Sequence, residues 1–293
     1  MKRETIIRLF MRLCAALPLR GAHALGAALG GLLAVVPGRI RTITHRNVEL
    51  CFPELSPSEQ RRLASRSLRG TGRTVAETGA LWHWPPDRVL SLVKAVDGRE
   101  PVDAALRDGR GAILMTPHLG NWELVGLYCS TLYPLTSLYR PPRMKGLEEY
   151  MRGSRERFGA RLVPTSAGGI RHLYRALGRG EFIGLLPDQE PQAGSGVFAP
   201  FFGVDAYTMT LLPRLLEKYE VPVFFVHSER LPRGAGFRIH FSPMTSDFRR
   251  DDTVSVCTAM NAGVEACVRR APEQYQWNYK RFRTRPDGMS PRY

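Results

Sequence analysis

Between Gly111 and Arg270 short apolar runs alternate with longer runs of helical spacing, and that rhythm restricts what the chain can fold into. The runs Gly111–Thr116, Leu135–Tyr139, Arg161–Val163, Phe182–Leu186, Pro222–His227 and Phe237–Phe241 read as strands. Helical spacing fills Trp122–Leu132, Gly146–Phe158, Gly169–Leu177, Met209–Tyr219 and Thr253–Arg270. Alternation of this kind predicts a mixed, largely parallel sheet covered by helices, the α/β class. SPSE, Ser56–Glu59, is a capping box with proline at the first helical position, and opens a helix running toward Trp82.

Ahead of this body the composition changes. The first 46 residues carry Lys2, Arg3, Arg8, Arg12, Arg20, Arg39, Arg41 and Arg46 against Glu4 alone. Ile6, Phe10, Leu13 and Leu17 recur at i, i+4, i+7 and i+11, an apolar stripe flanked by Arg8 and Arg12, as in a helix lying in a membrane interface. Gly21–Pro37 is small and apolar, a little short of the about 20 residues a span requires. Its Gly26 and Gly30 form a GxxxG that suits close helix packing. No small-x-small cleavage site follows before Pro37, so a secretory signal is not the reading. The expected partition is an N-terminal membrane-associated helical segment, residues 1–45, and one domain, residues 46–293.

The stretch TPHLGNWELVG, residues 116–126, sits where a strand gives way to a helix. Within one helix His118 and Glu123 would point about 140° apart and could not meet. With His118 in the turn and Gly120 supplying backbone freedom, they can. Asn121 would then cap the helix and Glu123 would lie in its first turn, where negative charge is favoured. In that arrangement the carboxylate holds one imidazole nitrogen and leaves the other as a base. A hydrogen-bonded structural histidine is the alternative.

Other stretches carry polar groups to strand ends or charge to the surface. LYRPPR, Leu138–Arg143, ends a strand with Arg140 on a proline-stiffened turn, where α/β sheets collect ligands. LLPDQE, Leu185–Glu190, ends another with Asp188, either a ligand-contacting acid or a turn former. GSGVFAPFFG, Gly194–Gly203, is apolar enough to be core or to line a lipid path. In NYKRFRTRPDG, Arg281, Arg283 and Arg285 alternate, so an extended chain would turn all three to one side as a phosphate-binding strip.

The net charge of +15 points to an anionic partner, a membrane surface or a phosphorylated lipid among them. No nucleic-acid-binding signature accompanies it, so nucleic acid is not expected. The five cysteines have no metal-like spacing and HExxH is missing, so no metal site is expected. GxSxG, GxxxxGK[ST] and a post-strand GxGxxG are also missing, which removes support for serine hydrolases, P-loop NTPases and dinucleotide enzymes.

HLGNWE, YRP, PDQE with GVFAPFFG, and RFRTRPDG occur in a familiar order, together with RNVELCFPELS, Arg46–Ser56. In these residues the chain resembles the lipid A biosynthesis acyltransferases, which share a His-x4-acid motif with lysophospholipid acyltransferases. The resemblance runs nearly end to end. It implies an acyltransferase domain over residues 46–293, at the cytoplasmic face of a Gram-negative inner membrane. Such enzymes move a fatty acyl chain from acyl carrier protein to the hydroxyl of a 3-hydroxyacyl chain on a lipid A precursor. Carried over, His118 is the base, Glu123 its orienting partner, Arg140 a group near the reacting atoms and Asp188 the acid of the DQ block. The expected substrate-binding residues are Asn121, Asp188, Arg281, Arg283 and Arg285. A thioester is already activated, so no cofactor is expected, and the basic rim would steer an acidic carrier protein. The rival readings are the same fold acting on another lipid, and a non-catalytic basic membrane- or nucleic-acid-binding module.

Overall fold

The computed structural model describes residues 3–142, 144–245 and 247–293; Lys2 and Arg143, named above, lie outside them. Four helices come first: α1 (Arg3–Ala16), α2 (Leu19–Val35), α3 (Arg39–Cys51) and α4 (Pro57–His83). Then follow α5 (Pro86–Leu90), β1 (Val93–Asp97), α6 (Glu100–Arg107), β2 (Ala112–Met115), α7 (Trp122–Leu132), β3 (Leu135–Tyr139), α8 (Lys145–Glu156) and β4 (Arg161–Pro164). The chain continues through α9 (Ala167–Gly178), β5 (Phe182–Leu185), β6 (Gly196–Phe201), β7 (Val204–Met209) and α10 (Leu211–Lys218). It ends with β8 (Val223–Arg230), β9 (Phe237–Pro243) and α11 (Thr253–Arg270).

Seven strands form one sheet in the order β1-β9-β8-β2-β5-β3-β4. Its pairings are parallel except the antiparallel β8–β9. Helices cover both faces, so β2 is apolar at every position: Ile113 and Met115 feed one core, Ala112 and Leu114 the other. The expected α/β class is therefore present. β1 was not expected, because VKAVD is short and half-exposed at a sheet edge. Gly194–Gly203 is not among the expected strands either. It contributes β6, which pairs with β7 as a two-stranded ribbon. Pro200 is tolerated there because neither strand of the ribbon is a central one. Phe201 and Phe202 join the core with Trp277 and Phe282, so this stretch is packing and not a lipid path.

The capping box at Ser56 and Glu59 forms as read, and starts a helix 27 residues long that underlies the N-terminal helices. The GxxxG does bring helices together: a Cβ on Gly26 would lie 2.5 Å from the Gly72 carbonyl oxygen of α4. The α1 stripe is divided between two environments. Phe10 and Leu17 turn inward onto Cys14, Ala22 and Ala76, whereas Ile6, Leu9 and Leu13 are exposed. Leu29, Leu32, Leu33, Val35 and Val36 continue the exposed apolar surface at the end of α2. Among the described residues no single helix is long and apolar enough to cross a membrane; α2 and α3 reach that length together, across an 83° bend.

Candidate active site

The sheet register builds the site. Met115 of β2 pairs with Leu185 of β5, and three residues beyond each lie His118 and Asp188. The His118 amide donates to Asp188 Oδ2 at 2.8 Å, and Nδ1 lies 2.8 Å from Asp188 Oδ1. Nε2 faces the Gln189 side-chain nitrogen at 3.1 Å. That amide nitrogen can only donate, so Nε2 accepts and the ring proton is on Nδ1, bonded to Asp188. The imidazole is thereby fixed as a base with its lone pair turned outward from the sheet end. Burial alone would raise the Asp188 carboxyl, but the His118 imidazole and its hydrogen bonds hold it below the ordinary aspartate value. It stays ionised.

The turn carrying His118 is tied down on both sides. Gly120 has φ +61°, and a Cβ there would run into the Ser228 carbonyl oxygen. Its amide donates to Gln274 O at 3.0 Å. Asn121 caps α7 as expected, its side chain accepting from the Leu124 amide. It is not a substrate contact, however, because it is fully buried and donates to Glu77 Oε2 at 2.9 Å.

Glu123 lies in the first turn of α7, but its polar partners are not the imidazole. Arg155 of α8 clasps it with Nε and Nη2, the Nε contact being 2.8 Å, and Trp82 Nε1 donates at 3.3 Å. The expected orienting role therefore passes to Asp188, whose register beside His118 is set by the β2–β5 pairing. Burial would raise the Glu123 carboxyl, yet the Arg155 guanidinium, ahead of Trp82 and His118, keeps it below the ordinary value. Glu123 remains a fixed negative charge near the ring. The Trp122 ring packs tilted against the imidazole, with ring centroids 4.9 Å apart.

A cavity of about 300 Å³ opens at these groups. His118, Glu123, Arg140, Arg155 and Gln189 line it, with the hydroxyl residues Thr116, Ser137 and Tyr139, and Arg140 is exposed at the end of β3. The cavity then follows α7 past Val125, Gly126 and Cys129 and β3 back to Leu135, between Leu114 and Leu162. It is a polar mouth on an apolar slot, at the small end of the about 300–1,000 Å³ range of ligand sites. A Cβ on Gly126 would meet nothing within 4 Å. Among the described residues no group of His, Cys, Asp and Glu is arranged to hold a metal ion.

The arginine strip is not assembled. Residues 281–285 are not a strand but turns and bends. Arg281 is buried, donating to Tyr207 O at 2.7 Å and Thr208 Oγ1 at 2.9 Å, and so pins the β6–β7 ribbon. Arg283 pairs with Glu190 at 3.0 Å, and Arg285 reaches Asp205 O at 3.4 Å. An alternation rule that assumes an extended chain cannot see these turns. Gln189 and Arg155 were missed as site residues. The DQ dipeptide was the available signal for the first; nothing local marked the second.

The family model described as bacterial lipid A biosynthesis acyltransferase matches residues 4–284. A lipid A biosynthesis lauroyltransferase of Escherichia coli (strain K12) is 31% identical over 281 residues, covering 94% of this chain and 90% of the relative. A palmitoleoyltransferase of lipid A biosynthesis from the same organism is 30% identical, covering 92% and 87%. A myristoyltransferase of lipid A biosynthesis, also from that strain, is 25% identical, covering 83% and 75%.

Proposed function

This chain belongs to the bacterial lipid A biosynthesis acyltransferase family, and we propose that it moves a fatty acyl chain from acyl carrier protein to a hydroxyl of a 3-hydroxyacyl chain on a phosphorylated lipid A precursor. As an O-acyltransferase of lipid A it requires a held base, a slot for a chain and access to lipid. The observation that carries the reading is His118, bonded through Nδ1 to Asp188 with Nε2 turned to a cavity that is polar at its mouth and apolar beyond.

In the reaction His118 Nε2 takes the proton of the acceptor hydroxyl as its oxygen attacks the thioester carbonyl. Base catalysis of this kind is worth about 10²–10⁴-fold. The ionised Asp188 stabilises the imidazolium that forms. Arg140, exposed at the mouth, is the candidate donor to the tetrahedral oxyanion. Collapse expels the carrier thiolate, which takes the proton back from His118. Glu123, clasped by Arg155, adds fixed negative charge near the ring and holds α8 to α7.

The same reading puts the protein at the cytoplasmic face of the inner membrane. Its support is the exposed apolar surface of Ile6, Leu9 and Leu13 with Leu29, Leu32 and Val36, beside a strongly basic chain. Mass spectrometry of lipid A precursor incubated with the protein and acyl carrier proteins of varied chain length tests the whole. The expected result is one added acyl group, lost in His118→Ala. An unmodified precursor with a folded wild-type protein would overturn it.

A further inference from the structure

A second concavity, of about 920 Å³, lies between α2, α4 and the turn after β8, away from the acyl slot. Guanidinium groups dominate its walls: Arg20 from α2, Arg66, Arg69 and Arg73 from α4, Arg230 from β8 and Arg233 from the following turn. The α4 residues fall at i, i+3 and i+7, so one helix face presents three like charges, an arrangement that is unfavourable without a counter-charge. Two carboxylates are within reach. Glu77, buried behind the lining residues His23 and Arg230, is fully engaged by Arg230, Asn121 and His23, and Glu273 stands at the wall. Among the described residues Arg20, Arg66, Arg69, Arg73 and Arg233 make no ion pair. Arg73 is half-buried, and its desolvation, with Arg230 and then Arg69 nearby, outweighs the Glu77 carboxylate and lowers its pKa from the ordinary arginine value.

The turn supplies an independent observation. Arg233 adopts φ 57°, ψ 25°, a left-handed conformation unfavourable for a side chain of this kind. Gly234 beside it packs on Arg20. The backbone thus holds a sixth guanidinium at this concavity at a cost that a glycine would avoid. Five guanidiniums without an ion pair around one hollow match the several oxygens and the double charge of a phosphate monoester, which accepts bidentate bonds from arginine.

We propose that this groove is a binding site for a phosphate ester, distinct from the acyl slot. It supplies the phosphate recognition that the Arg281–Arg285 stretch, engaged within the fold, does not. The groove is also joined to the catalytic turn: Gln274, in its wall, accepts from the Gly120 amide, and Glu77, which binds the lining residues Arg230 and His23, accepts from Asn121. The choice of a lipid-borne phosphate as the natural source rests on the acceptor proposed above; the site itself does not.

Binding of the full chain in dodecylmaltoside micelles tests it, with three probes: inorganic pyrophosphate, micelles doped with phosphatidic acid, and micelles doped with phosphatidylcholine. The wild-type protein is expected to take up phosphatidic acid over phosphatidylcholine. The Arg66→Ala/Arg69→Ala/Arg233→Gly variant is expected to lose at least tenfold in affinity for phosphatidic acid, and Arg69→Glu alone most of that. The substituted side chains are exposed and unpaired, so folding is retained, which circular dichroism verifies. Uptake of pyrophosphate with no preference among micelles would keep the site and make its ligand water-soluble. His118→Ala should bind like wild type, so a failure of the acyl-transfer reading leaves this result standing. Unchanged phosphatidic acid and pyrophosphate binding in both arginine variants would overturn the proposal.

Discussion

Asp188 receives two hydrogen bonds from one residue, the backbone amide and the Nδ1–H of His118, each at 2.8 Å. Both reach a single carboxylate from a residue 70 positions away in the chain. The carboxylate thereby fixes the position of the turn and the tautomer of the ring at once. Asp188→Asn retains the shape but has one oxygen for two donors. If its amide nitrogen turns to the ring, Nδ1 becomes the acceptor and the proton moves to Nε2, which is then no longer a base. Acyl transfer should fall by about 10²–10⁴-fold, as general-base losses do. Because the two residues act as a unit, His118→Ala/Asp188→Asn should be hardly slower than His118→Ala. Steady-state rates on folded variants decide this, and near-normal transfer by Asp188→Asn would remove Asp188 from the mechanism.

Glu123 behaves differently on substitution, because its loss leaves a mostly buried guanidinium without its counter-charge. Breaking a buried pair from one side costs about 3–5 kcal/mol, and the partial exposure of Arg155 brings the expectation to the low end. Glu123→Gln should therefore lower stability to urea and the transfer rate together, whereas Asp188→Asn lowers chiefly the rate. Replacing both partners, in Glu123→Leu/Arg155→Met, should recover much of the stability and little of the activity. Full activity in that double variant would make the pair structural.

These two residues mark where sequence reasoning reached and where it stopped. Strand and helix periods are local, so β3, α7 and α11 were legible to the residue. The turn position of His118, the cap at Asn121 and the place of Glu123 in the first turn of α7 followed from the same local rules. Which strands become neighbours is not local. Asp188 could be read as a polar group at a strand end, but only the β2–β5 register brings it to His118. The His-x4-Glu spacing drew attention to the carboxylate nearest in sequence, while Arg155, from another helix, claims that carboxylate in space. The alternation of Arg281, Arg283 and Arg285 failed for a related reason. Asn47 grips the Trp277 and Tyr279 carbonyls, and residues 281–285 turn instead of extending.

His227 supplies an acid-sensitivity prediction. It is buried in β8 and stacked on His240, with ring centroids 4.9 Å apart, and neither ring nitrogen has a partner. Burial, then the neighbouring His240 and Arg270, lowers its pKa to about 3, against an ordinary 6.5. A depressed histidine value means the folded state excludes the proton that the unfolded chain accepts. Stability is thus full above about pH 6.5 and declines as pH falls toward about 3, by about 1.4 kcal/mol per pH unit. His227→Phe keeps a flat ring in that place and should flatten the decline. Urea midpoints from pH 7 to pH 4 measure it; parallel slopes for both proteins would exonerate His227.

The exposed apolar residues of the first helices make a separate test of membrane association. Leu9, Leu13 and Leu32 are 59%, 54% and 60% exposed, so polar replacements there disturb little packing. Leu9→Ser/Leu13→Ser/Leu32→Ser should keep its melting temperature within a few degrees. If these side chains enter the bilayer, each loses up to about 1.5–3 kcal/mol of apolar burial, and flotation with anionic vesicles should drop sharply. Undiminished flotation would assign the attachment to another surface.

Gly126 separates chain-length selection from stability. It lies mid-helix on α7, lines the apolar slot proposed to take the acyl chain, and offers a Cβ open space with no atom within 4 Å. A glycine there costs the helix about 1 kcal/mol relative to alanine, so Gly126→Leu should raise stability. The same side chain would stand in the slot between Val125 and Cys129. Each methylene kept from the slot forfeits about 0.8 kcal/mol, close to fourfold in preference per methylene excluded. The variant should therefore melt higher and shift transfer toward shorter acyl chains, while His118 and Asp188 keep short-chain turnover near wild type. Competition between acyl carrier proteins of different chain length, read by mass spectrometry of the product, gives the distribution directly. An unchanged distribution in the stabilised variant would mean that the acyl chain lies elsewhere.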